Sequence, residues 1–315
     1  MIQEKDFNSF LKYIEGLELL PSGVIEDIKP RDDSFTVIGR NKKGTRIVSY
    51  SLPVEKNENL KVYQSKGYTI SLLTIGEIPH KKLSKVDTAK LEQLMQKVDW
   101  LTVMPVDIRH DSRIAECIVQ LGEISNRDNE EGRKIAELLT LKYMAGTPLE
   151  LLFEFSDLRN QYEKTLFVEL NGNEQDIGLS DSFNIICDRG VAKPLDPADD
   201  DSKICWLVMR DSEIIKVPDF NIYGHLLELP FAEKRSVVQI AQDLTELCNG
   251  EQLEGRFKIG GQVFSAFYEA DPINRGLAFR DLRQNRFDLK TLKESPERLG
   301  ELVQQSKKPR KGLGL

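Results

Sequence analysis

Two runs rich in apolar and aromatic residues, Arg256–Ile259 and Gln262–Tyr268, flank the dipeptide Gly260-Gly261. Paired glycines supply the positive φ angles of a two-residue type I′ turn, so the segment reads as an antiparallel hairpin. Just before it, Ala232–Cys248 carries Val237, Val238, Ala241, Leu244, Leu247 and Cys248 at helical spacing, with Asn249-Gly250 as the stop. A long helix grouped with hairpins points to an α+β fold.

The rest of the chain agrees with that class. Phe7, Phe10, Leu11, Ile14 and Leu17 draw one apolar stripe, which predicts a helix within residues 3–19. Val24–Ile28, Phe35–Ile38 and Arg46–Leu52, separated by Pro30-Arg31-Asp32-Asp33 and Asn41-Lys42-Lys43-Gly44, read as a β-meander, with Tyr68–Ile75 as a fourth strand. Asp87 is placed to cap a helix over Asp87–Val98, and Trp100–Val106 reads as a strand. Asp111 or Ser112 starts the next helix, and a further one follows Asp128 and stops at Gly146. Thr147-Pro148-Leu149-Glu150 has the form of a capping box and predicts one more helix start. Leu166–Leu170 is then a strand, and Asn171-Gly172 signals a hairpin. Phe183–Cys187, Ile204–Met209 and Ile214–Val217 are further short strands, the last two joined across Asp211-Ser212, with Glu297–Gln305 as a final helix after Pro296.

A chain of 315 residues favours about two domains. The expected division is an N-terminal α+β module with a β-meander (1–106), a helical connecting region (107–160), a C-terminal α+β domain with β-hairpins around one long helix (161–305) and a flexible basic tail (306–315). No apolar run approaches the roughly 20 residues of a membrane helix, and MIQEKDFNSF lacks the apolar core of a secretory signal. No membrane insertion and a cytoplasmic location are therefore expected. Cys117, Cys187, Cys205 and Cys248 are scattered, with no His at ligand spacing, and read as small core residues.

No familiar catalytic frame is present: no phosphate-cradling glycine loop, no Gly-x-Ser-x-Gly elbow and no His-Glu-x-x-His. The three histidines, His80, His110 and His225, stand apart, and His110 beside Asp111 cannot form a dyad simply by adjacency. Arg286-Phe287-Asp288-Leu289-Lys290 holds the Asp-x-Lys half of a metal-nuclease pattern. If this stretch were a strand, alternation would set Asp288 and Lys290 on one side, with Asp271 or Asp281 as partner acid. Asp271, Asp288 and Lys290 are thus weak catalytic candidates, with magnesium as cofactor only under that reading and no cofactor otherwise. Asp27-Ile28-Lys29 repeats the triplet by chance, and Asp199-Asp200-Asp201 lacks calcium-loop spacing.

Charge is the strongest functional hint. Pro272–Leu315 holds eleven Lys or Arg against five acids, whereas the whole chain is −7. Arg275, Arg280, Arg283, Arg286, Lys290, Lys293, Lys307, Lys308, Arg310 and Lys311 are the candidate nucleic-acid contacts, with Phe279 and Phe287 available for stacking. Arg298 adds to the same excess. These residues point to a non-catalytic binding component of a cytoplasmic prokaryotic complex that contacts nucleic acid, DNA above all. An antiviral or mobile-element setting is expected on general grounds, from no particular residue. The alternatives are a protein–protein adaptor or homo-oligomer, in which the basic segment answers acidic surface, and a divalent-metal nuclease.

Overall fold

The computed structural model describes residues 2–4, 7–20, 34–43, 46–57, 62–83, 85–100, 102–125, 130–153, 158–173, 175–194 and 203–307. In chain order the strands are β1 (Ile2–Glu4), β2 (Phe35–Lys43), β3 (Arg46–Asn57), β4 (Val62–Ser65), β5 (Gly67–Thr74), β6 (Lys82–Leu83), β7 (Val86–Asp87), β8 (Glu163–Glu169), β9 (Val191–Pro194), β10 (Ile204–Arg210), β11 (Glu213–Pro218), β12 (Leu253–Ile259), β13 (Gln262–Asp271), β14 (Gly276–Arg280) and β15 (Arg286–Phe287). The helices are α1 (Phe7–Gly16), α2 (Thr88–Met95), α3 (Ser112–Ile124), α4 (Glu130–Met144), α5 (Leu158–Tyr162), α6 (Leu179–Ile186), α7 (Ile222–Leu227), α8 (Val237–Cys248) and α9 (Pro296–Lys307). The fold is α+β. The sheets have strand orders β1-β4-β3-β5-β8 with β2 beside β3, β11-β10-β9, and β12-β13-β14-β15, and β6 pairs with β7. No helix among the described residues is long and apolar enough to cross a membrane.

The chain divides into two compact units: Met1–Gly39, Tyr50–Ile70 and Thr165–Gly314 form one, and Arg40–Ser49 with Ser71–Lys164 form the other. In the second, α2, α3 and α4 pack on one another around Leu91, Met95, Cys117, Leu121, Leu139 and Met144. The helices of residues 107–146 therefore share their core with residues such as Leu73 and Ile75 at the end of β5 and just beyond it. Asp87 and Asp111 are the N-caps, accepting from Ala89 N at 3.1 Å and Arg113 N at 2.8 Å. In the first unit the core gathers Trp206, Leu226, Ile240, Leu247, Phe257, Phe264, Tyr268, Phe279 and Leu302.

Both dipeptide turns at β-hairpins form as expected. Gly260 and Gly261 have φ +56° and +82°, and Asp211 and Ser212 have φ +51° and +66°. Several other expectations fail. Trp100–Val106 is no strand: the Trp100 indole N–H donates to Met95 O at 2.7 Å, and Pro105–Arg109 is a 3-10 turn opened by its proline. Asn171-Gly172 makes no hairpin, because the Asp176 carboxylate gathers the N–H groups of Asn171, Gly172 and Asn173 at 2.7–3.2 Å and turns the chain into α6. Phe183–Cys187 lies mainly in that helix, since a short apolar run carries no decisive period. Thr147–Glu150 starts only a 3-10 turn, Glu150–Leu152. The predicted strand Val24–Ile28, the aspartates 199–201 and residues 308–315 lie outside the described residues.

The helix expected at Ala232 begins at Val237, where Ser236 closes a capping box with Gln239. Its buried side is also different. Ile240, Asp243 and Leu247 face the core, while Val237 and Val238 are 86% and 76% exposed.

Candidate nucleic-acid interface

The basic segment follows β13, and its register explains where its charges go. Pairing sets Phe267 opposite Arg280 and Tyr268 opposite Phe279, while β14 and β15 set Arg280 opposite Arg286 and Phe279 opposite Phe287. Side chains alternate across a sheet, so Glu269, Asp271, Arg280 and Arg286 share one face. The aromatics Tyr268, Phe279 and Phe287 share the other, the first two in the core and Phe287 partly buried against it. Like charges directly opposite one another are unfavourable, and the two acids resolve this. Arg280 Nε donates to Glu269 Oε1 at 2.8 Å, and Arg286 pairs with Asp271. Glu269 also meets Arg189 at 3.6 Å and accepts from Gln252 at 3.0 Å.

A third acid organises the remainder. Asp281 is fully buried and accepts from Arg283 N at 2.8 Å, Asn285 N at 2.9 Å and Arg298 Nη2 at 3.2 Å, with Gln305 of α9 at 3.4 Å. Burial pushes its carboxyl pKa up, but the bonds from Asn285, Arg283 and Gln305 outweigh that and hold it below the usual carboxylate range. The turn between β14 and β15 and the helix α9 are thus joined through one carboxylate.

These contacts sort the candidate residues. Arg280 and Arg286, with Arg298, are held by acids of the same unit. Arg275 is exposed at φ +51° and donates to Asp219 O at 3.3 Å. Arg283 and Lys290 are exposed, and neither side chain has an ion-pair partner among the described residues. Lys293 lies in the 3-10 turn Thr291–Glu294, and Lys307 ends α9, two residues into the stretch expected to be a tail. Ser306 is anchored, its hydroxyl accepting from Ser265 N at 2.8 Å. Lys308, Arg310 and Lys311 lie outside the described residues. Phe279 is buried in the core, and Phe287, partly buried, packs against it with ring centroids 6.0 Å apart.

The acids of the nuclease reading are each engaged by neighbouring groups. β15 ends at Phe287, and Asp288 turns back to accept from Lys290 N at 2.8 Å, so strand alternation does not apply there. Asp271 is occupied by Arg286 and by Asn274 at 2.9 Å. Among the described residues no group of three His, Cys, Asp or Glu side chains is placed to hold a metal ion.

No other reactive side chain among the described residues is set up for nucleophilic catalysis. Asp111 bonds Arg113 at 3.0 Å rather than His110. In the second unit, His80 Nδ1 lies 3.2 Å from Thr88 Oγ1 and Nε2 lies 2.7 Å from Glu92, which imitates a nucleophile, base and acid in series. Thr88 is fully buried, and its hydroxyl accepts from Lys81 N and donates to Lys81 O at 2.8 and 2.9 Å, so it has no capacity left for a substrate. Burial pushes the Cys117 thiol up to about 11 and raises those of Cys205 and Cys248, leaving them protonated and unreactive near neutral pH. A hollow of about 650 Å³ beside Phe167, Lys193, Cys205 and Lys216 brings together no such series.

Sequence reasoning missed Asp176 and Glu92, and it named Asp281 only as a partner acid for a metal, not as the carboxylate that ties the β14–β15 turn to α9. Only the Asn-rich turn before Asp176 carried a local trace. No protein family, curated protein or solved structure matches this chain.

Proposed function

We propose that the chain is a non-catalytic binding component that contacts nucleic acid by non-specific attraction to the phosphate backbone. The contacts are Arg283 and Lys290, continued by the cations beyond Lys307. The carrying observation is that these two side chains are exposed and without an ion-pair partner among the described residues, while Arg280, Arg286 and Arg298 are engaged internally. The reading is narrower than the run of basic residues suggests. Cations already neutralised within the fold release few counterions and add little to affinity. The antiviral or mobile-element setting gains nothing from these contacts.

The test is a filter-binding titration of the full chain against duplex and single-stranded DNA at low and moderate salt, with and without magnesium. Salt-sensitive retention that falls in Arg283→Glu and Lys290→Glu is the expected result. Fragments that depend on magnesium would restore the nuclease reading. No retention at low salt overturns the proposal and leaves the protein–protein adaptor or homo-oligomer, a reading favoured by the same internal ion pairs.

A further inference from the structure

We propose that the hollow between β8 and the β9-β10-β11 sheet is a binding site for a small planar aromatic acid. The inference stands apart from nucleic-acid binding and uses none of its residues. All the side chains that line the hollow belong to the first unit. Register builds one wall: Leu207 lies opposite Lys216, Met209 opposite Ile214 and Cys205 opposite Lys193, so these side chains share one face of the sheet. Strand alternation builds the other. Leu166 and Val168 of β8 are buried, which turns Phe167 and Glu169 outward to the hollow. The space between the walls is about 650 Å³, within the range of sites that enclose a small organic ligand.

The walls set the chemistry of the occupant. Leu207 and Cys205 are buried and make an apolar floor, whereas Phe167 is 51% exposed on an edge strand of its sheet. A flat ring slotted between Phe167 and Leu207 buries apolar surface on both of its faces. Charge then fixes a substituent. Three of the lining charges are answered within the protein: Lys193 pairs with Asp181, Asp176 accepts the backbone N–H groups of residues 171–173, and Glu213 lies opposite Arg210. Lys216 and Glu169 are exposed, and neither has an ion-pair partner among the described residues. Lys216 lies close enough to the floor for its charge to act on the Cys205 thiol. An acid group on the ring gives that ammonium a charge-assisted partner, and the Glu169 carboxylate repels the same group from the other wall, so the ligand is held in one orientation.

Anilinonaphthalene sulfonate carries aromatic rings and an anion, and phenylnaphthylamine has the same rings without the anion. Fluorescence titration of the full chain should show saturable binding of each dye, with the sulfonate held roughly tenfold more tightly. Lys216→Glu, at an exposed position, should abolish that preference and leave the neutral dye bound. Phe167→Ala should weaken both dyes roughly tenfold with unchanged circular dichroism. Leu227→Ser, on the exposed apolar surface of α7, should weaken neither. Absence of saturable binding overturns the proposal. So does a sulfonate preference that survives Lys216→Glu, binding of either dye that Phe167→Ala leaves intact, or binding that Leu227→Ser removes.

Discussion

Glu92 is buried in the helical core of the second unit and receives bonds from Lys142 Nζ at 2.6 Å, Tyr143 OH at 2.9 Å and His80 Nε2 at 2.7 Å. Burial alone would raise its pKa, but the bonds from Lys142, Tyr143 and His80 prevail and hold it below the ordinary 4.5. Removing the carboxylate strands a largely buried ammonium, so Glu92→Ala should cost about 3 kcal/mol in denaturant unfolding. The folded pKa lies below the unfolded one. The stabilisation is therefore complete above about 4.5 and is lost as the pH falls through the folded value. Unfolding curves of wild type and Glu92→Gln should converge in acid. Arg40 presents the opposite case: its Nε and Nη2 are buried with no hydrogen-bond partner among the described residues, and burial pulls its pKa down. Arg40→Met keeps the aliphatic stem and removes two buried, unsatisfied nitrogens at the loss of attraction to Glu150, so it should change stability by no more than about 1 kcal/mol.

At the scale of elements, α8 separates what a pattern reveals from what it hides. Ser236→Ala should cost about 1 kcal/mol through the lost cap, and Ile240→Ala about 3 kcal/mol through the cavity. Val237→Ala should stay within about 0.5 kcal/mol, as measured by urea unfolding. The stop at Asn249-Gly250 was legible because the signal is local. Which arc faces the core was not, because Val237, Val238 and Ala241 are as apolar as Ile240, Leu244 and Leu247, and periodicity alone does not choose between them. The capping aspartates and both dipeptide turns were legible for the same local reason. Asn171-Gly172 carries an equally good turn signal, yet a carboxylate four residues beyond Gly172 redirects it. β1 and β4 were not anticipated: Ile2 pairs with Ser65, a partnership of residues far apart in sequence that no short window contains.

For the molecule as a whole, the proposed phosphate binding implies a dissociation constant for DNA that depends on salt less steeply than eleven cations suggest. Deleting residues 308–315, which removes Lys308, Arg310 and Lys311, should lower the slope of log K against log salt for duplex DNA by roughly 2 to 3, and Lys290→Glu by about 1. Arg280→Gln should leave the slope nearly unchanged and lower stability instead, since that guanidinium serves Glu269. The cut is best made after Lys307, because Ser306 is bonded to β13.

By itself the sequence determined the α+β class, most of the helices, the Gly260-Gly261 and Asp211-Ser212 hairpins and the caps at Asp87 and Asp111, because each depends on groups within a few residues of one another. Tertiary structure alone decided which charges stay free and which apolar face stays uncovered. Asp271 meets Arg286 and Asp281 meets Arg298 only because sheet register and the docking of α9 bring them together. A count of basic residues measures charge, whereas binding depends on charge that the fold has not already neutralised.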